Sequence, residues 1–420
     1  MTPAIGTTAT PLATSSPGLA GRRARVVLGA GAAIVFIALG LRHSFGLFLE
    51  PMTRELGVGR EVYGFAIALQ NLLWGLGQPV AGVIADRFGS GRVVFLGGLL
   101  YGAGLAIAAT GADPAGLHVG MGVLVGLGLS ATSYAVVLGA VGRHFPPERR
   151  TRALGIASVG GSLGIFASVP ATLTLIGQLG WAHALLALAA LVVGVVCLLS
   201  VGLAGAPNAA AGTTGRDQSL GAALVEAGTH RGYLLLVLGF FVCGFQLAFI
   251  ATHLPAYLVD RALPPWVGGT ALAVIGAANV VGTLACGALG DRASKKRLLA
   301  GLYVVRAAAA AYFLCTPITV ASVMVFAVVI GLTWLGTVPL TSGIVAQVFG
   351  PRYLATLVGV VFLMHQVGSF LGAWLGGHVF DRTGSDDAVW WIVVLLGLLA
   401  AVVHWPIDER PLARLRLAGG

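Results

Sequence analysis

The side chains able to do chemistry in this sequence are few, and most sit inside long apolar runs. Arg42 and His43 adjoin one another in the first such run, and Arg306 lies in the ninth. His253 stands near the end of the seventh and His365, with Gln366, in the eleventh. Gln70, Asn71, Tyr134 and Asn279 are neutral hydrogen-bonding groups in similar surroundings. An ionisable group in an apolar run is costly unless paired or hydrated, so each is a functional candidate. An arginine offers a planar fork suited to a carboxylate, a histidine can take up a proton near neutral pH, and the amides and the phenol can orient a ligand. Each also has a simpler reading, as a group hydrogen-bonded between helices. No HExxH and no GxxxxGK[ST] occurs, so zinc hydrolysis and nucleotide-driven work have no support, and neither cofactor nor metal is expected. Cys197, Cys243, Cys286 and Cys315 are each isolated in apolar sequence and read as packing residues.

What must position these groups is a membrane. Of 420 residues 57% are hydrophobic and only 10% charged, against about 25% charged in soluble domains; such a chain cannot coat itself for water. Sixty-three glycines fit closely packed membrane helices. The formal charge of +10 lies in short clusters between apolar runs, which argues against nucleic acid. Runs of spanning length fall near 26–49, 61–85, 93–111, 116–142, 152–177, 181–204, 232–258, 266–290, 298–316, 318–348, 353–380 and 388–406. Twelve spans are predicted. With the N-terminus inside, nineteen of the twenty-five Lys and Arg fall in inner segments and four in outer ones, so both termini are expected in the cytoplasm. The chain divides into a disordered tail over 1–25, a six-helix bundle over 26–204, a cytoplasmic linker over 205–231, a second bundle over 232–406 and a tail over 407–420.

The halves repeat a loop. GVIADRFGSGR at 82–92 follows the second span, and GALGDRASKKR at 287–297 follows the eighth. A repeat of six-helix units is a secondary-transporter architecture, with the ligand near the midplane between halves. Gly82, Asp86, Arg87, Gly89 and Arg92 resemble the loop signature of the major facilitator superfamily, with a weaker copy at Gly287, Asp291, Arg292 and Lys296. Acid–base pairs at helix ends can hold neighbouring helix termini, which makes Gly82, Asp86, Arg87, Arg92, Asp291 and Arg292 a candidate conformational latch.

GLFLEPM at 46–52, ERRTRALGIASVGGSLG at 148–164 and HLPAYLVD at 253–260 are similar to the monocarboxylate transporter and oxalate–formate exchanger branch. The resemblance implies an all-α membrane protein of two pseudo-symmetric bundles moving a small organic anion by alternating access. In that branch an Asp or Asn in the eighth span is followed four residues later by an arginine that holds the substrate carboxylate. Here Asn279 matches and Thr283 stands in the arginine's place. The anion then needs another cation, and Arg42 is the candidate, with snorkelling towards the outer surface as its alternative. Arg306 is read as a structural arginine bonded to backbone carbonyls, with a ligand-binding role as its alternative. The expected substrate group is Arg42, His43, Asn71, Tyr134, His253, Asn279 and His365. No Asp or Glu lies centrally in a span, so protons, as a coupling partner, would run through His43, His253 or His365. Gly368, Gly372 and Gly376 form a small-residue packing stripe. The protein is expected to act as a monomer in a bacterial cytoplasmic membrane and not to be an enzyme. Export of hydrophobic compounds and a non-transporting sensor are the alternative functions.

Overall fold

A computed structural model describes residues 17–111, 113–145, 147–203, 219–350 and 353–413. Among them every regular element is helical. The membrane helices are α1 (Pro17–Ser44), carried on by a 3₁₀ turn and a further helix to Leu56, α2 (Arg60–Phe88), α3 (Ser90–Thr110) and α4 (Pro114–Arg143). A continuous helical stretch, Pro147–Leu191, is two helices: Gly180 has φ 76°, a left-handed conformation that stops a helix and suits glycine. The whole apolar segment, Ala153–Leu203, would be roughly 75 Å long as one straight helix, far beyond a bilayer core. It therefore comprises α5 (147–179) and α6 (181–203). The second half supplies α7 (Arg231–Asp260), α8 (Pro265–Gly290), α9 (Lys295–Cys315), α10 (Val320–Phe349), α11 (Leu354–Thr383) and α12 (Asp387–His404). The twelve helices match the twelve predicted spans.

Boundaries differ in three places. Residues 17–25, expected in the tail, are helical, and residues 1–16 lie outside the described residues. The first span runs on to Leu56 rather than ending near 49, because Pro51 falls at the start of a new helix, Leu49–Leu56, where a missing N–H is harmless. The linker contains a short helix, Leu220–Thr229, capped by Ser219 accepting the Ala222 N–H at 3.2 Å; 204–218 lie outside the described residues. The C-terminal segment docks on the second half: Lys296 Nζ donates to the Ile407 carbonyl at 2.6 Å, and Leu412 N–H to Val348 at 3.0 Å.

Apolar burial falls into two clusters, one drawn almost wholly from α1–α6 and one from α7–α12. Glycine lets paired helices close up in both halves. A Cβ added at Gly164 would strike the Phe36 carbonyl of α1, and one at Gly368 or Gly372 the Phe241 or Phe245 carbonyl of α7. The α11 stripe is thus a packing seam. Where α2 meets α3 the whole connection is Gly89, at φ 93°, which explains the loop signature's demand for glycine.

Two helices are broken at related places. α4 is interrupted at Ser133, between Val125–Thr132 and Tyr134–Arg143, and α10 at 334–336, between Val320–Thr333 and Thr337–Phe349. With the repeated loops in register, Trp74 of α2 corresponds to Asn279 of α8, and Gln78 to Thr283. Each pair serves the break in its own half. Trp74 Nε1 and Gln78 Nε2 donate to Ser133 Oγ at 2.9 and 3.1 Å. Asn279 Oδ1 accepts the Leu335 N–H at 2.9 Å and the Thr283 hydroxyl at 3.0 Å. Backbone freed by a break must find partners inside the protein, since hydrocarbon offers none.

Candidate functional site

One face, called the termini-bearing face, holds the first described turns of α1 and the end of α12, and the start of α2 lies at the far face. At the far face Arg60, at the start of α2, forms a bidentate pair with Asp260 of α7 at 2.7 and 2.8 Å. Asp381 of α11 accepts the Arg60 and Glu61 N–H groups at 2.9 and 2.7 Å, capping α2 from the opposite half. Glu61 in turn meets His378 at 2.8 Å, Trp374 Nε1 at 3.1 Å and Arg382 at 3.3 Å. Near the other face Gly82, Gly155, Gly287 and Gly359, on α2, α5, α8 and α11, each have open space where a Cβ would point. The bonds described above join the halves at the far face.

Between these ends lies a group of polar and aromatic side chains. Arg42 is about 20 Å from the far end of its span, because that span continues to Leu56. It does not snorkel. Its Nη2 donates to Asn71 Oδ1, and its guanidinium stands 5.1 Å from the Trp74 ring centroid. Asn71 Nδ2 donates to the Ile67 carbonyl at 2.9 Å, which turns its oxygen towards Arg42. Among the described residues no carboxylate pairs with Arg42, and its buried Nε has no hydrogen-bond partner. His43 Nδ1 lies 2.9 Å from the Leu39 carbonyl; a carbonyl only accepts, so Nδ1 carries the proton. The ring reaches across the halves to within 6.4 Å of the Trp334 ring, at the α10 break.

Rings continue the group. Trp74 meets Phe362 edge-on at 5.7 Å, Phe362 stacks on His365 at 5.8 Å, and His365 lies 4.9 Å from Phe240. Gln366, 1% exposed, packs against Gly75 with neither amide atom hydrogen-bonded. Trp334 Nε1 and His365 Nδ1 are likewise buried and unpartnered. A buried polar group left unpaired costs about 1–3 kcal/mol, and these lie along the rings that lead away from Arg42 and His43.

Arg306 and Asn279 hold the wall rather than line the space. Arg306 Nη2 donates to the Thr333 and Trp334 carbonyls, the latter at 2.6 Å, while Nε approaches Thr333 Oγ1 at 3.4 Å. Asn279 also donates from Nδ2 to Ser162 Oγ of α5 at 3.0 Å, so its amide is fully engaged. Together they fasten the α10 break and aim Trp334 at His43. Tyr134 donates to the Ser158 carbonyl at 3.2 Å, tying α4 to α5. His253 is fully buried towards the far face, bonded through Nε2 to the Ala373 carbonyl at 2.8 Å, with Gly376 making room for its ring. Arg42, His43, Asn71 and His365 are thus brought together, and Tyr134, His253 and Asn279 are not. Trp74, Trp334, Phe362 and Phe240 were missed, since an aromatic residue in an apolar run carries no signal of its own; the repeat register of Trp74 with Asn279 was the available clue.

The latch residues lie at the termini-bearing face. Arg87 is exposed over the Phe88 ring at 5.4 Å, and Arg92 Nη1 reaches the Phe88 carbonyl at 3.5 Å. Asp291 and Arg292 are exposed, and Gly82 has open space beside it. The side chain of Asp86 lies outside the described residues.

A family model for the Major Facilitator Superfamily matches residues 28–373. The chain is 27% identical over 383 residues to human monocarboxylate transporter 11, covering 86% of this chain and 78% of that protein. It is 25% identical over 387 residues to the uncharacterized MFS-type transporter YcxA of Bacillus subtilis, covering 89% and 92%. In fold it is similar to a bacterial homolog of the human lysosomal transporter Spinster, with a TM-score of 0.73 at 16% identity, covering 93% of this chain and 97% of that one. The nucleoside transporter NupG gives 0.72 at 13%, covering 91% and 99%. With twelve apolar helices, a repeated loop and a bonded joint between two halves already in place, these likenesses establish that the chain belongs to the major facilitator superfamily, in its monocarboxylate-transporter-like branch, and is a multi-pass membrane transporter rather than an enzyme.

Proposed function

We propose that the protein moves a small organic anion with an apolar body across the membrane by alternating access, binding it between Arg42 and the Trp74–Phe362–His365 rings. The observation that carries this reading is Arg42: a guanidinium deep in the bundle, bonded to a neutral amide, with no carboxylate paired to it among the described residues and one N–H unpartnered. A lone buried cation is most economically balanced by an anion that comes and goes. Asn71 orients the fork, leaving donors for a carboxylate, and the adjoining rings suit the rest of the molecule. Thr283, which stands where that branch carries an arginine, bonds to Asn279, and Arg42 supplies the cation that α8 lacks.

The bias of Arg and Lys towards the termini-bearing face supports placing that face in the cytoplasm of a bacterial cell. In that orientation the joined far face is the outer one. His43 and His365 are the titratable groups beside Arg42 that could couple a proton to the anion. The test is binding of a panel of monocarboxylates to purified protein carrying Arg42→Gln or Arg42→Lys. Gln should abolish binding. Lys keeps the charge but loses the planar fork, and should weaken binding about tenfold or more. Equal affinity in all three proteins refutes the proposal.

A further inference from the structure

The far face holds a carboxyl group that the joint between the halves does not use. Asp386, just before α12, is 1% exposed, and neither of its side-chain oxygens accepts a hydrogen bond. Its backbone carbonyl receives the Val389 and Trp390 N–H groups, so the residue starts the helix while its side chain points into the joint. Arg60 Nη1 comes within 3.8 Å, but that guanidinium is already engaged bidentately by Asp260 and covers the Phe380 ring at 3.7 Å. The other charges around Asp386 come from each neighbouring element: Arg60 of α2, Asp260 of α7, Asp381 of α11, and Asp387 of its own helix. Asp387 is balanced by Arg261 at 2.5 Å and by the Tyr257 hydroxyl at 2.9 Å. Asp381 has the two N–H groups of α2. Asp386 is left over, a second anion on an arginine that one anion has already neutralised.

We infer that Asp386 is a proton-binding site, occupied while the halves are joined at the far face and vacated when they part, so that acidity on that side favours the closed joint. The inference rests on the alternating-access reading. Arg60 crosses from one half to the other, so Asp386 loses its cover only when the joint opens and water reaches it. In the closed joint, burial pushes the carboxyl up to about 7, with Arg60 opposing and the three neighbouring aspartates assisting. In water an aspartate returns to about 3.9. The sign follows: the closed form binds the proton more tightly, so lowering pH favours it. Between about pH 4 and about 7 the closed-to-open ratio should fall about tenfold per unit rise, and above 7 it should level off.

The experiment places a fluorophore pair, through non-natural residues, at Arg54 and Trp266, which are exposed and belong to opposite halves. Single-molecule energy transfer is then recorded in lipid nanodiscs from pH 4.5 to 8.5. Wild type should shift from the closed to the open distance as pH rises. Asp386→Asn, nearly isosteric and permanently neutral, should stay closed and lose the slope; Asp386→Ala, a second neutral variant, should lose it too. A wild-type slope surviving in both variants overturns the proton site while leaving alternating access standing. One unchanging distance in wild type, at every pH and with or without transported anion, overturns both.

Discussion

Arg306 offers a sharp test of how a buried arginine without an acid is tolerated. It is 2% exposed on α9, and its strong partners are the Thr333 and Trp334 carbonyls of the α10 break; Cys243 Sγ at 3.3 Å and Gln246 Oε1 at 3.5 Å are weaker ones. Two terms oppose. Removing the guanidinium leaves two buried acceptors open, at about 1–3 kcal/mol each. It also removes an ion whose desolvation costs several kcal/mol. In Arg306→Met these offset, and the loss should be small, about 1–2 kcal/mol. Arg306→Lys keeps the buried charge but replaces the two-carbonyl fork with a compact ammonium, and so loses at least one charge-assisted bond worth about 1.5–3 kcal/mol. The expected order of stability is wild type, then Met, then Lys, the reverse of what charge conservation suggests. Thermal unfolding of the purified variants, read by tryptophan fluorescence, checks the order. Anion affinity should fall in both, because Trp334 is no longer held towards His43. A lysine variant as stable as wild type would refute the view that the fork, rather than the charge, fastens the break.

Other outcomes follow from the packing and the loops. Gly372→Val would drive a branched side chain into the Phe245 carbonyl at the α7–α11 seam; a clash with backbone cannot be relieved by a rotamer change, and the expected loss of more than about 3 kcal/mol should appear as failure to recover monodisperse protein. Asp86→Asn should reduce anion transport into vesicles at least about tenfold, roughly 1.4 kcal/mol, with binding unchanged, if the loop acts as a latch at the termini-bearing face; wild-type transport would remove that role.

The helices were legible because bilayer thickness sets their length and hydrocarbon their composition, so twelve apolar runs translate directly into twelve helices. The Gly368–Gly372–Gly376 stripe and the structural part played by Arg306 were legible for a similar reason: small residues mark close approach, and a buried cation on a peripheral helix needs carbonyls. What sequence could not supply was direction and depth. Snorkelling stood as an alternative for Arg42 only while its helix was taken to end near 49; seven further helical residues place it well inside. Asn279 read as a ligand group because its neighbours on α5 and α10 are more than fifty residues away in sequence, and only folding shows that Ser162 and Leu335 occupy its amide. The far-face joint was hidden most completely. Arg60, Glu61, Asp260 and Asp381 look in sequence like ordinary interfacial charges at helix ends, where water would screen them to little value. Folding brings them from α2, α7 and α11 into one bonded set across the two halves, and leaves Asp386 buried beside it. The same residue types thus act as surface anchors or as a clasp according to whether the opposite half is present. A transporter that alternates between joined and parted faces needs charges of that kind, because ions that pair when the halves meet and hydrate when they part leave little difference in free energy between the two states.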